Sequence, residues 1–274
     1  MRHRSGQLGL ALLLTFLLMM IIGPILLSHR PSADVLYQNL GGALQGPSAQ
    51  HWLGTDQLGR DVLVRIVAGA RYTIMIGVAS VAIGLAIGVP LGAWSGYVKG
   101  TFDLLVQRLV DIVLAFPSFL LALVLVAVLG PGLRNVIIAV GIASFPRFVR
   151  VVRGSTLSIR EHQYIEAARA LGVAPTTIVV RHVLPNSMAP IIVQSTLELG
   201  SAILTAAGLG FLGLGVQQPT PEWGSMLGSA RDYIFSFPGL ITFPGLAIFG
   251  VVLAFNLLGD ALRDALDPRL RGEL

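Results

Sequence analysis

Few residues in this 274-residue chain could carry chemistry, and their spacing narrows what that chemistry is. There is no cysteine, so disulfides, thiolate nucleophiles and thiolate metal ligands are absent. The five histidines, His3, His29, His51, His162 and His182, form no metal-ligand pair at helical spacing. The single lysine, Lys99, lies in Ser-Gly-Tyr-Val-Lys-Gly-Thr and not in Gly-x-x-x-x-Gly-Lys-[Ser/Thr]. The chain therefore has no P-loop to cradle nucleotide phosphates. No group of His, Asp, Glu or Ser marks a membrane enzyme's reaction centre, so we expect no catalytic residue, no resident metal and no cofactor.

The carboxylates that remain are few. Glu198 falls in the middle of the apolar run Gln-Ser-Thr-Leu-Glu-Leu-Gly-Ser. A charge deep in hydrocarbon costs about 3 kcal/mol or more, so Glu198 should face protein or water. It is either a pore-lining group that meets a cation or a substrate ammonium, or a hydrogen-bonded residue joining helices. Arg108 and Asp111 are three apart and predict a structural ion pair beside Asp103. Asp260, Arg263 and Asp264 carry the same expectation near the C-terminus.

The densest polar signal is Glu-Ala-Ala-Arg-Ala-Leu-Gly-Val-Ala-Pro-Thr-Thr-Ile-Val-Val-Arg-His-Val-Leu-Pro-Asn, residues 166–186. Arg160 to Leu171 is rich in helix formers. Gly172 suits the left-handed residue that ends a helix, and Pro175 suits the first turn of the next. Leu184-Pro185 should stop that second helix. The expected product is two short helices with a tight turn, with Ile165, Ala168 and Leu171 on one face. An amphipathic loop resting on headgroups fits the same residues.

The surrounding elements are membrane-grade. The chain is 54% hydrophobic and 12% charged, half the roughly 25% of a soluble domain, with mean hydropathy +0.78. Apolar runs predict an all-α polytopic protein with six transmembrane helices. They cover Leu8–Leu27, Tyr72–Val98, a stretch after Asp103 to about Leu129, about Leu133–Val152, a stretch from Met188, and about Ile241–Leu258. Arg147 and Arg150 should snorkel to the headgroups at the end of the fourth. Residues 51–71 should form a short interfacial helix with Arg60, Asp61, Arg65 and Arg71 on its polar side. It could dock a partner or cover a pore mouth. Gly84, Gly88 and Gly92 are spaced four apart for tight helix packing, within the chain or against a second subunit. Three regions follow: 1–71, a helix with an outer segment; 72–262, a core containing the polar loop 153–186; and 263–274, a tail. With both termini inside, the inner segments carry 13 of the 19 Lys and Arg residues and the outer ones 6. That bias satisfies the positive-inside rule and puts the loop in the cytoplasm.

The polar loop resembles the EAA loop of ABC importer permeases. Glu166, Ala167, Ala168, Gly172, Leu184 and Pro185 match its pattern, and His182 stands where isoleucine is usual. His-Trp-Leu-Gly-Thr-Asp-Gln-Leu-Gly-Arg-Asp-Val, Phe-Leu-Gly-Leu-Gly-Val-Gln-Gln-Pro-Thr-Pro-Glu-Trp-Gly and Leu-Ala-Phe-Asn-Leu-Leu-Gly-Asp-Ala-Leu-Arg-Asp-Ala-Leu-Asp-Pro extend the likeness. Together they resemble the C-type permeases of dipeptide, oligopeptide and nickel uptake systems, from His51 to Pro268. The resemblance implies the type I ABC importer transmembrane fold and a multi-pass protein of a bacterial or archaeal inner membrane. It also implies a homologous second permease, two cytoplasmic ATP-binding subunits that receive the EAA loops, and an extracytoplasmic substrate-binding protein. The lipid bilayer is the remaining partner, and nucleic acid is not one. Peptides are the expected cargo, with nickel or a nickel chelate as the alternative. An ion-coupled secondary transporter is a remote third, because it calls for midplane carboxylates in internal repeats and only Glu198 is present.

Overall fold

The computed structural model describes residues 2–28, 34 and 36–266. Arg30 and the tail residues Pro268, Arg269 and Arg271 lie outside the described residues, as does the helix end expected at Pro268. In chain order, α1 (Arg2–Leu27) and α2 (Val62–Val98) are followed by α3 (Gly100–Leu114), α4 (Ser118–Leu129) and α5 (Leu133–Ile159). The short helices α6 (Gln163–Ala170), α7 (Pro175–Ile178) and α8 (Leu184–Asn186) lead into α9 (Met188–Phe211). The helices α10 (Trp223–Ala230) and α11 (Gly239–Leu266) follow. No strand occurs among the described residues, and Thr55 and Asp61 make one isolated antiparallel bridge.

Five helices, α1, α2, α5, α9 and α11, are each long and apolar enough to cross a membrane. The pair α3 and α4, which meet at a bend of 87°, makes a sixth span when the two are taken as one. The sequence reading expected one straight helix there. Pro117 breaks it, because a proline pushes the residue before it out of the α region and supplies no N–H. Moving from Arg153 back to Arg150 along α5 covers about 5 Å, whereas their partners Asp103 and Asp111 lie about 12 Å apart along α3. Since α3 touches α5 at both levels, it climbs obliquely, and α4 completes the crossing.

The centre of the bundle is α2 laid parallel against α5. Gly84 meets Ser144 and Phe148, Gly88 meets Phe145 and Phe148, Gly92 meets Val149 and Val152, and Gly96 meets Thr156. Both sets of numbers rise together, so the two helices run the same way. The small-residue stripe thus packs within the chain, and it extends one turn further than expected. Ser80 adds a bond from its hydroxyl to the Ile137 carbonyl at 3.2 Å. On the outside, α1 runs antiparallel to α11, with Gly6 beside Ala261 and Gly9 beside Leu257. Gly23 lies against Val67 of α2. These registers put the start of α1, the end of α11 and the polar loop between α5 and α9 on one face.

The opposite face departs from expectation. No separate interfacial helix exists at 62–71: α2 is continuous from Val62, and the boundary set at 71/72 falls inside it. Arg60, Asp61 and Arg65 are at most 2% exposed and not surface groups. Asp61 caps α2 by accepting from the Val64 N–H at 3.1 Å and holds His51 Nδ1 at 2.9 Å. Arg60 donates to Asp56 at 2.7 Å and to Gln218 at 2.9 Å, and Arg65 reaches the same Gln218 oxygen at 3.1 Å. The Gly/Pro-rich segment after α9 returns α10 into the bundle. Trp223 is fully buried there, donating to the Ile66 carbonyl at 2.9 Å. Glu222 caps α10 by accepting from Gly224 and Ser225 at 2.8 Å each.

A methyl group added at Gly88 would sit 2.5 Å from Phe148 Cβ and 2.7 Å from the Phe145 carbonyl, whereas one at Gly154 meets nothing within 4 Å. Gly88→Ala is therefore expected to lower the detergent-solubilised melting temperature by the equivalent of about 1–3 kcal/mol. Gly154→Ala should leave it unchanged or raise it by up to about 1 kcal/mol. Thermal scanning of the two variants side by side checks the register.

Candidate coupling surface and the charges beneath it

The polar loop begins where α5 ends. Arg160 to His162 form a turn, with His162 in extended backbone, so α6 starts at Gln163 and not at Arg160 as the composition suggested. Glu166 lies in the first turn and Arg169 in the last, each matched to the helix dipole. Gly172 takes φ +75°. The Val173 N–H bonds to the Ala168 carbonyl at 3.1 Å, and the Gly172 N–H to Arg169 at 3.0 Å. This pair of bonds is a Schellman motif, which satisfies the last carbonyls of α6. Pro175 then occupies the start of α7, where its missing N–H costs nothing.

The second limb does not stop at Leu184-Pro185. Residues 179–183 form a π-helical stretch, and the chain stays helical through α8 and Ser187 into α9. Wider π turns absorb the bond that Pro185 cannot make. Ser187 helps by bonding the Val183 carbonyl through both its N–H at 3.0 Å and its hydroxyl at 2.9 Å.

The loop rests on its own core. Ile165, Ile178 and Val183 are fully buried and pack with Tyr97, Val152, Ile159 and Ile191 from three long helices. Polar ties surround that core. Arg160 donates to the Tyr97 carbonyl at 2.5 Å, and Arg169 lies over the Tyr97 ring at 5.3 Å. Lys99 reaches Glu161 at 3.2 Å, and this bond draws the exposed Glu161 carboxyl below its ordinary value. His182 is half-buried, its ring 6.3 Å from Tyr164.

What faces outward is a small, partly apolar surface. Glu166, Ala167, Gly172 and Pro185 are exposed, and Ala168 and Leu184 are half-buried. Leu171 is 83% exposed, which overturns its expected place beside Ile165. It is the residue after the last helical position, and the left-handed turn at Gly172 swings it away from the core. Tyr164 and Val180 stand exposed on either limb. The surface is thus an apolar tip on a rigid base, with Glu166 and Arg181 as exposed charges beside it.

Below the loop the charges are paired. Arg147 does not snorkel to headgroups: its Nη1 holds Glu198 Oε1 at 2.6 Å, and its Nη2 holds the Ser118 hydroxyl at 3.0 Å. The Glu198 side chain is 5% exposed and also accepts from Gln194 at 3.4 Å. The pair joins α5 to α9. The Arg108–Asp111 pair expected from spacing is not formed, because Asp111 faces Arg150 at 2.8 Å. Asp103 takes a two-pronged contact from Arg153 at 2.6 Å per bond. The missed signal was the spacing of three along Arg147, Arg150 and Arg153, which lines one side of α5 with cations. Among the described residues no cluster of three His, Asp or Glu side chains could hold a metal.

Residues 88–272 match the family described as the binding-protein-dependent transport system inner membrane component. The dipeptide transport system permease protein DppC of Alkalihalophilus pseudofirmus is 49% identical over 270 residues, 98% of this chain and 88% of that protein. The glutathione transport system permease protein GsiD of Escherichia coli O157:H7 is 50% identical over 236 residues, 86% and 77% of the two chains. Among solved structures, a chain of the MetNI methionine ABC transporter in an inward facing conformation superposes with a TM-score of 0.61 at 23% identity. That match covers 74% of this chain and 96% of the other, and it is a likeness of fold.

With no native cysteine, the tip and base can be probed singly. Leu171→Cys should react with a polar maleimide at the rate of an exposed thiol. Ile165→Cys, at 0% exposure, should react at least about a hundredfold more slowly, the factor expected when labelling needs an opening costing about 3 kcal/mol. Mass spectrometry of timed quenches reads both rates.

Proposed function

The chain belongs to the family of inner membrane components of binding-protein-dependent transport systems, and we propose that it forms one half of a pore that imports short peptides. It is the permease subunit of an ABC importer and not an enzyme. The other half of the pore is a homologous permease. ATP is hydrolysed by two separate cytoplasmic subunits, and a substrate-binding protein delivers cargo from the opposite side. Relatives named for dipeptide and glutathione transport, each about half identical, favour peptides over nickel as the cargo.

The observation that carries the proposal is the loop between α5 and α9. Its tip is apolar and exposed, its base is buried in three long helices, and its turn is pinned by a left-handed glycine. A protruding apolar tip on a rigid base suits insertion into a groove of an ATPase subunit. Force applied at Leu171 would pass through the Ile165, Ile178 and Val183 core into α5 and α9 together. Nucleotide-driven closure of the ATPases and the loaded binding protein would then bias two states of one pore from its two faces. The surplus of arginine on the loop face supports a cytoplasmic loop with both termini on the same side. The buried Asp56, Arg60 and Arg65, tied to the exposed Gln218, would brace the other face, toward the binding protein.

Gly172→Val tests the turn. A Cβ at this position would meet no atom of the chain within 4 Å, so within the chain the strain falls on the backbone. A β-branched residue at φ +75° costs about 1–2 kcal/mol, enough to shift the tip without unfolding six membrane passes. The variant should assemble with its partners yet import peptide at no more than about a tenth of the normal rate, with ATP hydrolysis no longer stimulated by the binding protein. Uptake and hydrolysis are measured together in proteoliposomes holding the whole complex; normal stimulated uptake would count against the loop as the coupling element. Leu171→Cys should also cross-link to an ATPase subunit and be labelled only from the cytoplasmic side.

A further inference from the structure

Three arginines at a spacing of three, Arg147, Arg150 and Arg153, leave α5 for acids on other elements. Arg153 and Arg150 hold Asp103 and Asp111 of α3. Arg147 holds Glu198 of α9, touches Ser201 at 3.5 Å and reaches Ser118 at the first residue of α4. Its guanidinium therefore joins three helices at one point.

That point has a particular depth. Arg147 lies about 18 Å up α5 from Ile159, and Glu198 lies about 15 Å up α9 from Met188. The polar loop joins the same two helices at their near ends. Loop, α5, α9 and the Arg147–Glu198 pair thus close a four-sided frame, with the ion pair as its upper crossbar. Without the crossbar, a push on the loop can be spent in splaying α5 from α9. With it, the two helices move as one. The Ser118 bond adds the broken pass to the frame at a telling place, immediately after the 87° bend at Ala115–Pro117. A bend with a proline lacks the bonds that stiffen a helix, so it is where α4 can swing against α3.

We propose that the Arg147–Glu198 pair is a positioning device for transport: it transmits displacement of the loop to α4 through Ser118, and it does not meet the cargo. The proposal rests on the reading of the loop as the ATPase contact.

The test uses the whole complex in proteoliposomes and reads peptide imported per ATP hydrolysed. Glu198→Gln and Arg147→Gln should each keep assembly and basal hydrolysis but lower that ratio by about tenfold. The charge-reversed double variant, Arg147→Glu with Glu198→Arg, should recover most of it, since Ser118 can donate to a carboxylate as well as accept from a guanidinium. Spin labels at Leu120→Cys on α4 and Leu246→Cys on α11, both exposed, should report a nucleotide-dependent distance change in the native background. Glu198→Gln should abolish that change. A normal ratio and a normal distance change in Glu198→Gln would overturn the proposal, as would a double variant that assembles but transports no better than the singles. Should the neutral variants fail to assemble, Glu198→Asp keeps the charge and withdraws it by one methylene; a lowered ratio supports the crossbar and an unchanged one removes it. The Leu171→Cys cross-link separates the two failures. If it is lost from the native complex, the premise falls and takes the proposal with it; if it persists while Glu198→Gln transports normally, the proposal falls alone.

Discussion

Hydrocarbon offers no partner to a charge, and that constraint orders most of the polar residues in this protein. Glu198 is costly alone in the apolar interior; with the partly exposed Arg147 and with Ser118 it becomes a joint between helices. Asp56, Arg60 and Arg65 solve the same problem at the other face by sharing one another and the Gln218 oxygen. Glu222 solves it with backbone, spending its two oxygens on the amides that open α10. The first two sets of contacts join segments far apart in sequence, and Glu222 also accepts from the distant Thr73 hydroxyl at 3.5 Å. The polar residues therefore act as long-range fasteners in a bundle whose apolar surfaces would accept many neighbours. Whether such a buried pair adds net stability is a separate matter from its specificity, since desolvation offsets much of the attraction.

Close backbone approach supplies what the fasteners need. Gly84, Gly88, Gly92 and Gly96 let α2 lie directly on α5, with contacts from Ser144 to Thr156. That contact fixes the height and rotation of α5. The three arginines on α5 are then presented at set levels to α3 and α9. The loop core, which borrows Tyr97 from α2 and Val152 from α5, is seated on the same contact. A shift of one residue in the glycine register would rotate all of these groups away from their partners.

Much of this is legible in the amino-acid order itself. Runs of twenty or more apolar residues mark membrane helices because the bilayer has a fixed thickness. Gly172 and Pro175 announced a turn because each has a conformational demand that is local. The glycine spacing announced close packing for the same reason. Where the reading failed, the deciding information was not local. Arg108 and Asp111 have a fitting spacing, yet Asp111 pairs with Arg150 because α3 crosses α5 obliquely, and that angle depends on a bend at Pro117. Arg60 and Arg65 looked like the polar face of a surface helix until the segment around Gln218 folded over them. Leu171 kept the helical period of Ile165 in sequence and lost it in space at the left-handed turn one residue later. The π-helical stretch at 179–183 has no signature beyond Pro185 itself, since a proline predicts a missing bond and not how the chain accommodates it.

The distribution of rigidity follows from these contacts and bears on how such a chain can move. The loop end and the opposite end are both braced, one by the Ile165 and Ile178 core and the other by buried arginines and Trp223. The helices between them are continuous except at one place, the break between α3 and α4. Around α4 the side chains are mostly aliphatic, and Leu120, Val124 and Val128 face outward. Apolar contacts of this kind are non-directional and re-form after a shift, whereas the paired charges on α5 would have to be broken. A change of shape can preserve every ion pair by turning at residues 115–117, where the pass is already broken.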